Sequence, residues 1–295
     1  MPRDVEFDAN GTTLRGWLYV PDGESGPFPA IVMTAGFTAV KEMGLDQFGK
    51  VFVAAGFACL IYDHRNTGAS DGEPRGDIDP VAQARDYRHA ITYLQSLPEV
   101  DEDRIGLWGT SYSGAEVIQV AAIDRRVKCV VSQTMIVSGW RNTLRLMTPK
   151  TFAARRDAIE ADRRAQLNGA PPATIKMTTD NPDEPHAFGG ERNYGFFTSW
   201  GDRAPNWRNA CTVQSLDYML EFDAGPSMPL VSPTPLLMVI GANDAATPPD
   251  ESLAAYEAAL EPKKLVLMPG DHYSGYLEDF ELASGAARDW FLAHL

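Results

Sequence analysis

Apolar positions along the chain follow two rhythms that take turns. Short, mostly apolar segments at 30–34, 57–62, 104–108, 127–131, 236–240 and 264–268 have the length of buried strands. Between them, apolar residues recur at three- and four-residue spacing. Leu45, Phe48, Val51, Phe52 and Ala55 predict an amphipathic helix that stops at Gly56. Asp79-Pro80 caps a second helix running to about Ser96, 115–122 reads as a third, and two more fit at 250–260 and from about Tyr276 to Leu295. At the start, Val5-Glu6-Phe7 and 13–19 flank Asn10-Gly11, an antiparallel hairpin, and 21–29 is a turn-rich connection. Strands alternating with helices predict an α/β protein with a mostly parallel sheet and helices on both faces.

The rhythm breaks between about Gly139 and Pro233, where no buried strand is evident. A charged helix at 151–160 is followed by polar, proline-containing sequence at 168–184. Then come Phe188, Tyr194, Phe196, Phe197, Trp200, Trp207, Tyr218 and Phe222. A connection this long forms something of its own. The expectation is a core made of 1–138 and 234–295, with 139–233 inserted as a largely helical cap.

Composition narrows the function. A formal net charge of −14 makes nucleic acid and anionic membrane surfaces poor partners. No segment approaches the ~18 apolar residues of a membrane span, and the first residues lack a basic-then-apolar signal. A cytoplasmic, reducing location is the default expectation. Cys59 and Cys129 sit in strand-like runs and read as buried small hydrophobes, and Cys211 leaves an odd count. There is no Cys/His cluster with metal spacing, no Gly-x-Gly-x-x-Gly after an early strand and no phosphate-cradling loop, so no cofactor or metal is expected.

The chemistry centres on Trp108-Gly109-Thr110-Ser111-Tyr112-Ser113-Gly114, between the run at 104–108 and the helix at 115–122. A strand that turns into a helix within about two residues strains the residue at its apex and needs small neighbours. The apex hydroxyl, Ser111, then stands at a helix N-terminus, where N–H groups favour developing negative charge. This string resembles the nucleophile elbow of the α/β-hydrolase superfamily, with one departure: Ser113 stands at the fifth position of Gly-x-Ser-x-Gly, and glycine follows at 114.

A serine hydroxyl needs a base, and the base needs an orienting acid; the resemblance implies the chain order Ser, acid, His. His272, in the loop after the last predicted strand, is the expected base. His64 is the rival, but it precedes the serine in a charged loop, Asp63-His64-Arg65, of the kind that braces its neighbours. His186 lies in the cap, within reach of a substrate or simply solvated. Asp244 follows the run at 236–240 and is the expected acid, with Asp250 and Asp271 as competitors. The oxyanion donors implied by position are the backbone N–H groups of Phe37 and Tyr112.

Together with Asp101-x-x-Arg104-Ile105-Gly106, the elbow resembles two branches of the superfamily. One is the dienelactone-hydrolase-like branch with its polyketide-transferase relatives. The other is the catalytic domain of the X-prolyl dipeptidyl peptidase and cocaine-esterase group, whose additional β-rich domain has no room here. The resemblance implies the α/β-hydrolase fold and acyl transfer from an ester, lactone or thioester to Ser111. The aromatic cap points to a mainly apolar small-molecule substrate, with a homo-oligomer left open. An acyltransferase or a carbon–carbon bond hydrolase would use the same triad. A non-catalytic binding protein or a nucleotide-binding doubly wound protein are the other classes weighed.

Overall fold

Eight strands make one sheet in the order β1 (Arg3–Asp8), β2 (Thr13–Tyr19), β4 (Ala58–Tyr62), β3 (Phe28–Thr34), β5 (Val100–Thr110), β6 (Val127–Gln133), β9 (Leu236–Gly241) and β10 (Lys263–Met268). Within this sheet, among the described residues, only β1–β2 and β2–β4 pair antiparallel. The computed structural model describes residues 2–23 and 26–295. The N-terminal Met1 and the middle of the 21–29 connection lie outside the described residues. The β1–β2 hairpin turns through Asn10 and Gly11, both with positive φ (58° and 86°), as a two-residue turn of primed type requires.

Alternation along the buried strands sorts the core into two layers. Ile31, Met33, Cys59, Ile61, Trp108 and Val131 pack with α1 (Leu45–Ala54) and α10 (Phe280–His294) on one face. Ala30, Val32, Leu60, Leu107 and Val130 pack on the other face with α2 (Pro80–Gln95) and α3 (Tyr112–Ile123). This is the two-faced, mostly parallel sheet of an α/β hydrolase. The Asp79 side chain accepts from the N–H groups of Val81 and Ala82, as its position before Pro80 predicts.

Two boundaries and one strand's burial differ from expectation. β5 starts at Val100 rather than after Asp103, because Val100 pairs with Phe28 before a bulge resets the register. The last helix starts at Phe280, since residues 270–279 are held in a closed loop by the Asp279 carboxylate, which accepts from the Gly270 N–H. β10 is an apolar run, yet it ends the sheet, so Leu267 is half exposed.

Between β6 and β9 the chain builds α4 (Gly139–Leu146), α5 (Pro149–Leu167), α6 (Glu191–Thr198), α7 (Val213–Glu221) and α8 (Met228–Val231). A minimal ladder, β7 (Thr174–Ile175) with β8 (Cys211–Thr212), ties two of the connections together. α5 buries only Ile159 and Asp162, which explains its charged sequence. All three cysteines are free and buried. Among the described residues, no helix is long and apolar enough to cross a membrane.

Candidate active site

The chain runs from β3 to β4 on one side and then places β5 on the other side of β3. Loops leaving the carboxyl ends of β3 and β5 therefore diverge above a crevice, the place where open α/β sheets hold their ligands. Residues 35–38 follow β3 and Ser111 follows β5, so both come to this rim.

Ser111 has φ 57° and ψ −116°, a conformation that costs a non-glycine residue about 1–3 kcal/mol. Its surroundings hold it there. The Ser111 N–H donates to the Gln133 carbonyl at 2.8 Å, and the Ile136 N–H donates to the Ser111 carbonyl at 3.2 Å. Gly109 cannot be larger, because a Cβ there would lie 2.3 Å from the Ser113 carbonyl oxygen. The serine at 113 is fully buried and has work of its own: its Oγ accepts from the Thr110 N–H at 3.0 Å and lies 3.0 Å from the Thr34 carbonyl. The departure from the usual glycine thus fastens the elbow to β3.

His272 and Asp244 arrive from the loops after β10 and β9. His272 Nε2 is 3.0 Å from Ser111 Oγ, and His272 Nδ1 is 2.7 Å from Asp244 Oδ2. The two loops touch through the Asn243 N–H, which donates to the Gly270 carbonyl at 3.0 Å. Asp244 is buried, and burial alone pushes its carboxyl up. The His272 imidazole and the Thr247 donors outweigh that and hold it below the usual carboxylate value. Its Oδ1 accepts from the N–H groups of Ala246 and Thr247 at 2.8 and 2.7 Å, and its Oδ2 from the Thr247 hydroxyl at 2.7 Å. Thr247 escaped the sequence reading; its only trace there is the spacing of a turn threonine three residues after an aspartate.

The competitors stand elsewhere. Asp250 is an exposed carboxylate in the first turn of α9 (Pro249–Ala258), 2.8 Å from Arg145 Nη1. Asp271 turns away from its neighbour and pairs with Arg192 Nε at 2.7 Å. His64 is buried against Glu116, Nε2 to Oε2 3.3 Å, and burial pulls its pKa down to about 3. Its flanking residues brace: Asp63 accepts from the Lys41 N–H and ammonium at 2.7 and 2.8 Å, and Arg65 pairs with Asp86. His186 is half-buried, with Nδ1 2.7 Å from the Glu184 carbonyl, and does not line the cleft.

Among the described residues, no loop or helix-cap hydrogen bond uses the N–H of Phe37 or Tyr112. Residues 35–38 can approach the elbow only because position 36 is glycine: a Cβ there would sit 2.9 Å from Ser111 Cβ. The Phe37 and Tyr112 rings meet edge to face at 5.2 Å. Above Ser111 lies a cleft of about 520 Å³ counting its open mouth, walled mainly by Phe37, Ile136, Met177, Phe188, Phe196 and Phe197. Four of these six come from 139–233, yet the sequence does not separate them from aromatics such as Trp207 or Tyr218 that do not line the cleft.

Known proteins match over most of this chain. The model of the X-Pro dipeptidyl-peptidase (S15) family matches residues 10–274. A thiohydrolase of Eupenicillium brefeldianum is 34% identical over 287 residues, covering 95% of this chain and 90% of that protein. A polyketide transferase of a Penicillium species is 31% identical over 298 residues, covering 100% and 98%. The solved structure of DcsB in complex with its substrate analogue superposes with a TM-score of 0.87 at 32% identity, covering all of both chains. The chain therefore belongs to the X-Pro dipeptidyl-peptidase (S15) family, in an α/β-hydrolase branch shared with thiohydrolases and polyketide transferases.

Proposed function

We propose that this chain is a serine hydrolase that forms an acyl-enzyme from an ester, lactone or thioester with a mainly apolar acyl group. The observation that carries the reading is the continuous contact from Asp244 through His272 to Ser111, 2.7 and 3.0 Å, on the floor of an aromatic cleft. Ser111 Oγ attacks the carbonyl carbon while His272 Nε2 takes its proton. Asp244, deprotonated at neutral pH, keeps the imidazole's Nδ1–H pointed at itself and stabilises the imidazolium. The N–H groups of Phe37 and Tyr112 receive the oxyanion. His272 then returns the proton to the leaving thiolate or alkoxide, and a water deprotonated by the same imidazole releases the acid. Residues 139–233 act as the cap that supplies the apolar wall.

Two features support a neutral acyl substrate over a peptide N-terminus. A dipeptidyl substrate brings an ammonium group, and no residue lining the cleft carries a carboxylate to meet it; an unpaired buried charge is costly. The relatives' names, thiohydrolase and polyketide transferase, favour a thioester. The second of those names also favours passing the acyl group to an alcohol or amine acceptor in place of water. Turnover of medium-chain acyl thioesters of N-acetylcysteamine, of small polar esters and of an X-Pro anilide tests the reading. The apolar thioesters are expected to lead by at least tenfold in kcat/KM. A preference for the X-Pro anilide or for small polar esters contradicts it, and products formed with and without an added alcohol separate hydrolysis from transfer.

A further inference from the structure

The loop that carries His272 is gripped from above by α6, the helix that also roofs the cleft. Two consecutive residues of α6 reach the two residues that flank the imidazole. Arg192 pairs with Asp271, Nε to Oδ2 2.7 Å, and with Glu278 at 2.9 Å. Asn193 Oδ1 accepts the hydroxyl of Tyr273. One turn on, the Phe196 ring stacks on the Tyr273 ring at 4.2 Å and 20°. The Tyr273 ring in turn stands edge-on to the imidazole, with centroids 5.0 Å apart and planes at 85°.

The two grips differ in weight. Arg192 is half exposed, so its pair is screened and weak. Asn193 and Tyr273 are 8% and 7% exposed, so their hydrogen bond has no water to replace it. Asn193 also lines the cleft as a polar side chain in an apolar wall, which would ordinarily mark a group that reads the substrate. Both its donors are taken, and its oxygen already has a buried partner. Its amide donates to the Phe188 carbonyl at 2.9 Å and reaches Thr178 Oγ1 at 3.4 Å, while its oxygen is taken by Tyr273. The side chain faces the cleft but is committed to the protein.

We propose that Asn193 and Tyr273 are positioning residues that hold the His272 imidazole in line with Ser111 only while α6 covers the cleft. Closure of the roof and alignment of the base are then one event. With α6 lifted the base is misaligned, so both attack by Ser111 and release of the acyl group wait until the cleft is shut. The inference rests on the triad reading above, in which His272 is the base.

Tyr273→Phe keeps the ring and its stack and removes only the hydroxyl; Asn193→Ala removes its partner. The probe is p-nitrophenyl acetate, whose two-carbon acyl group is too short to need the aromatic roof. Misplacing a base by less than an ångström costs on the order of tenfold to a hundredfold. Both variants are expected to lose about tenfold or more in kcat with KM within about twofold. Labelling of Ser111 by a fluorophosphonate slows in parallel, and the double variant is no worse than the weaker single. An unchanged kcat in Tyr273→Phe overturns the proposal, as does a double variant whose losses multiply. Should Asn193→Ala fail to fold, Tyr273→Phe alone decides. Full turnover in His272→Ala would instead overturn the triad reading, and is scored separately.

Discussion

Glu116 sits on α3 five residues after Ser111, wholly out of solvent, with His64 Nε2 3.3 Å from its carboxyl. Burial raises its pKa well above the ordinary 4.5, and burial likewise pulls His64 from 6.5 down to about 3. Folded, the Glu116 carboxyl keeps its proton above its ordinary value and the His64 imidazole stays neutral below its own, so the pair holds one proton between 4.5 and 6.5. Unfolded, it holds none above 6.5 and two below 4.5. Its contribution to stability is therefore greatest between those values, falling above 6.5 because the folded state must keep a proton that the unfolded state releases. Glu116→Gln keeps the shape and removes the titration. Urea unfolding between pH 6.5 and 8.5 is expected to show the wild type losing up to about 1.4 kcal/mol per pH unit relative to this variant. Parallel pH profiles would mean that the folded pair has already given up its proton in this range. Held in this buried pair, His64 does not line the cleft.

At the scale of elements, the proposed oxyanion site depends on how closely the β3–α1 connection approaches the β5–α3 elbow. Gly36 sets that distance, and Lys41 locks the far end of the connection to Asp63. Gly36→Ala would force its Cβ and Ser111 Cβ apart from 2.9 Å. In the proposed mechanism the Phe37 N–H would then move away from the developing oxyanion. Loss of one such donor costs about 10² to 10³ in kcat, with little change in melting temperature, because the loop can shift outward into the cleft. Steady-state kinetics beside a thermal melt checks this. A full rate in a folded Gly36→Ala protein would remove Phe37 from the oxyanion role.

Across the whole molecule, what was legible in the sequence and what was not divide along a physical line. Parallel strands buried on both faces are apolar at nearly every position, so 30–34 and 236–240 announce themselves, and Asp79-Pro80 marks a helix start by local chemistry alone. Ser111, Asp244 and His272 could be singled out because each follows a strand whose end such patterns locate. The segment 139–233 resisted because its helices are shaped by contacts with distant residues. Asn193 meets Tyr273, which lies 80 positions away, and nothing local to Glu191–Thr198 reveals it. The two-residue ladder β7–β8 is shorter than any periodicity can register, and Thr247 and Glu116 take their roles only from neighbours that the fold brings to them.

The central claim, that one serine at the tip of β5 is activated by a histidine from the far end of the chain, is tested most directly by covalent labelling. The protein is treated with a fluorophosphonate, and the adduct is mapped by peptide mass spectrometry. The account predicts a single adduct on Ser111, absent in Ser111→Ala and slowed by several orders of magnitude in His272→Ala. An adduct on another residue, or undiminished labelling without the imidazole, would contradict it.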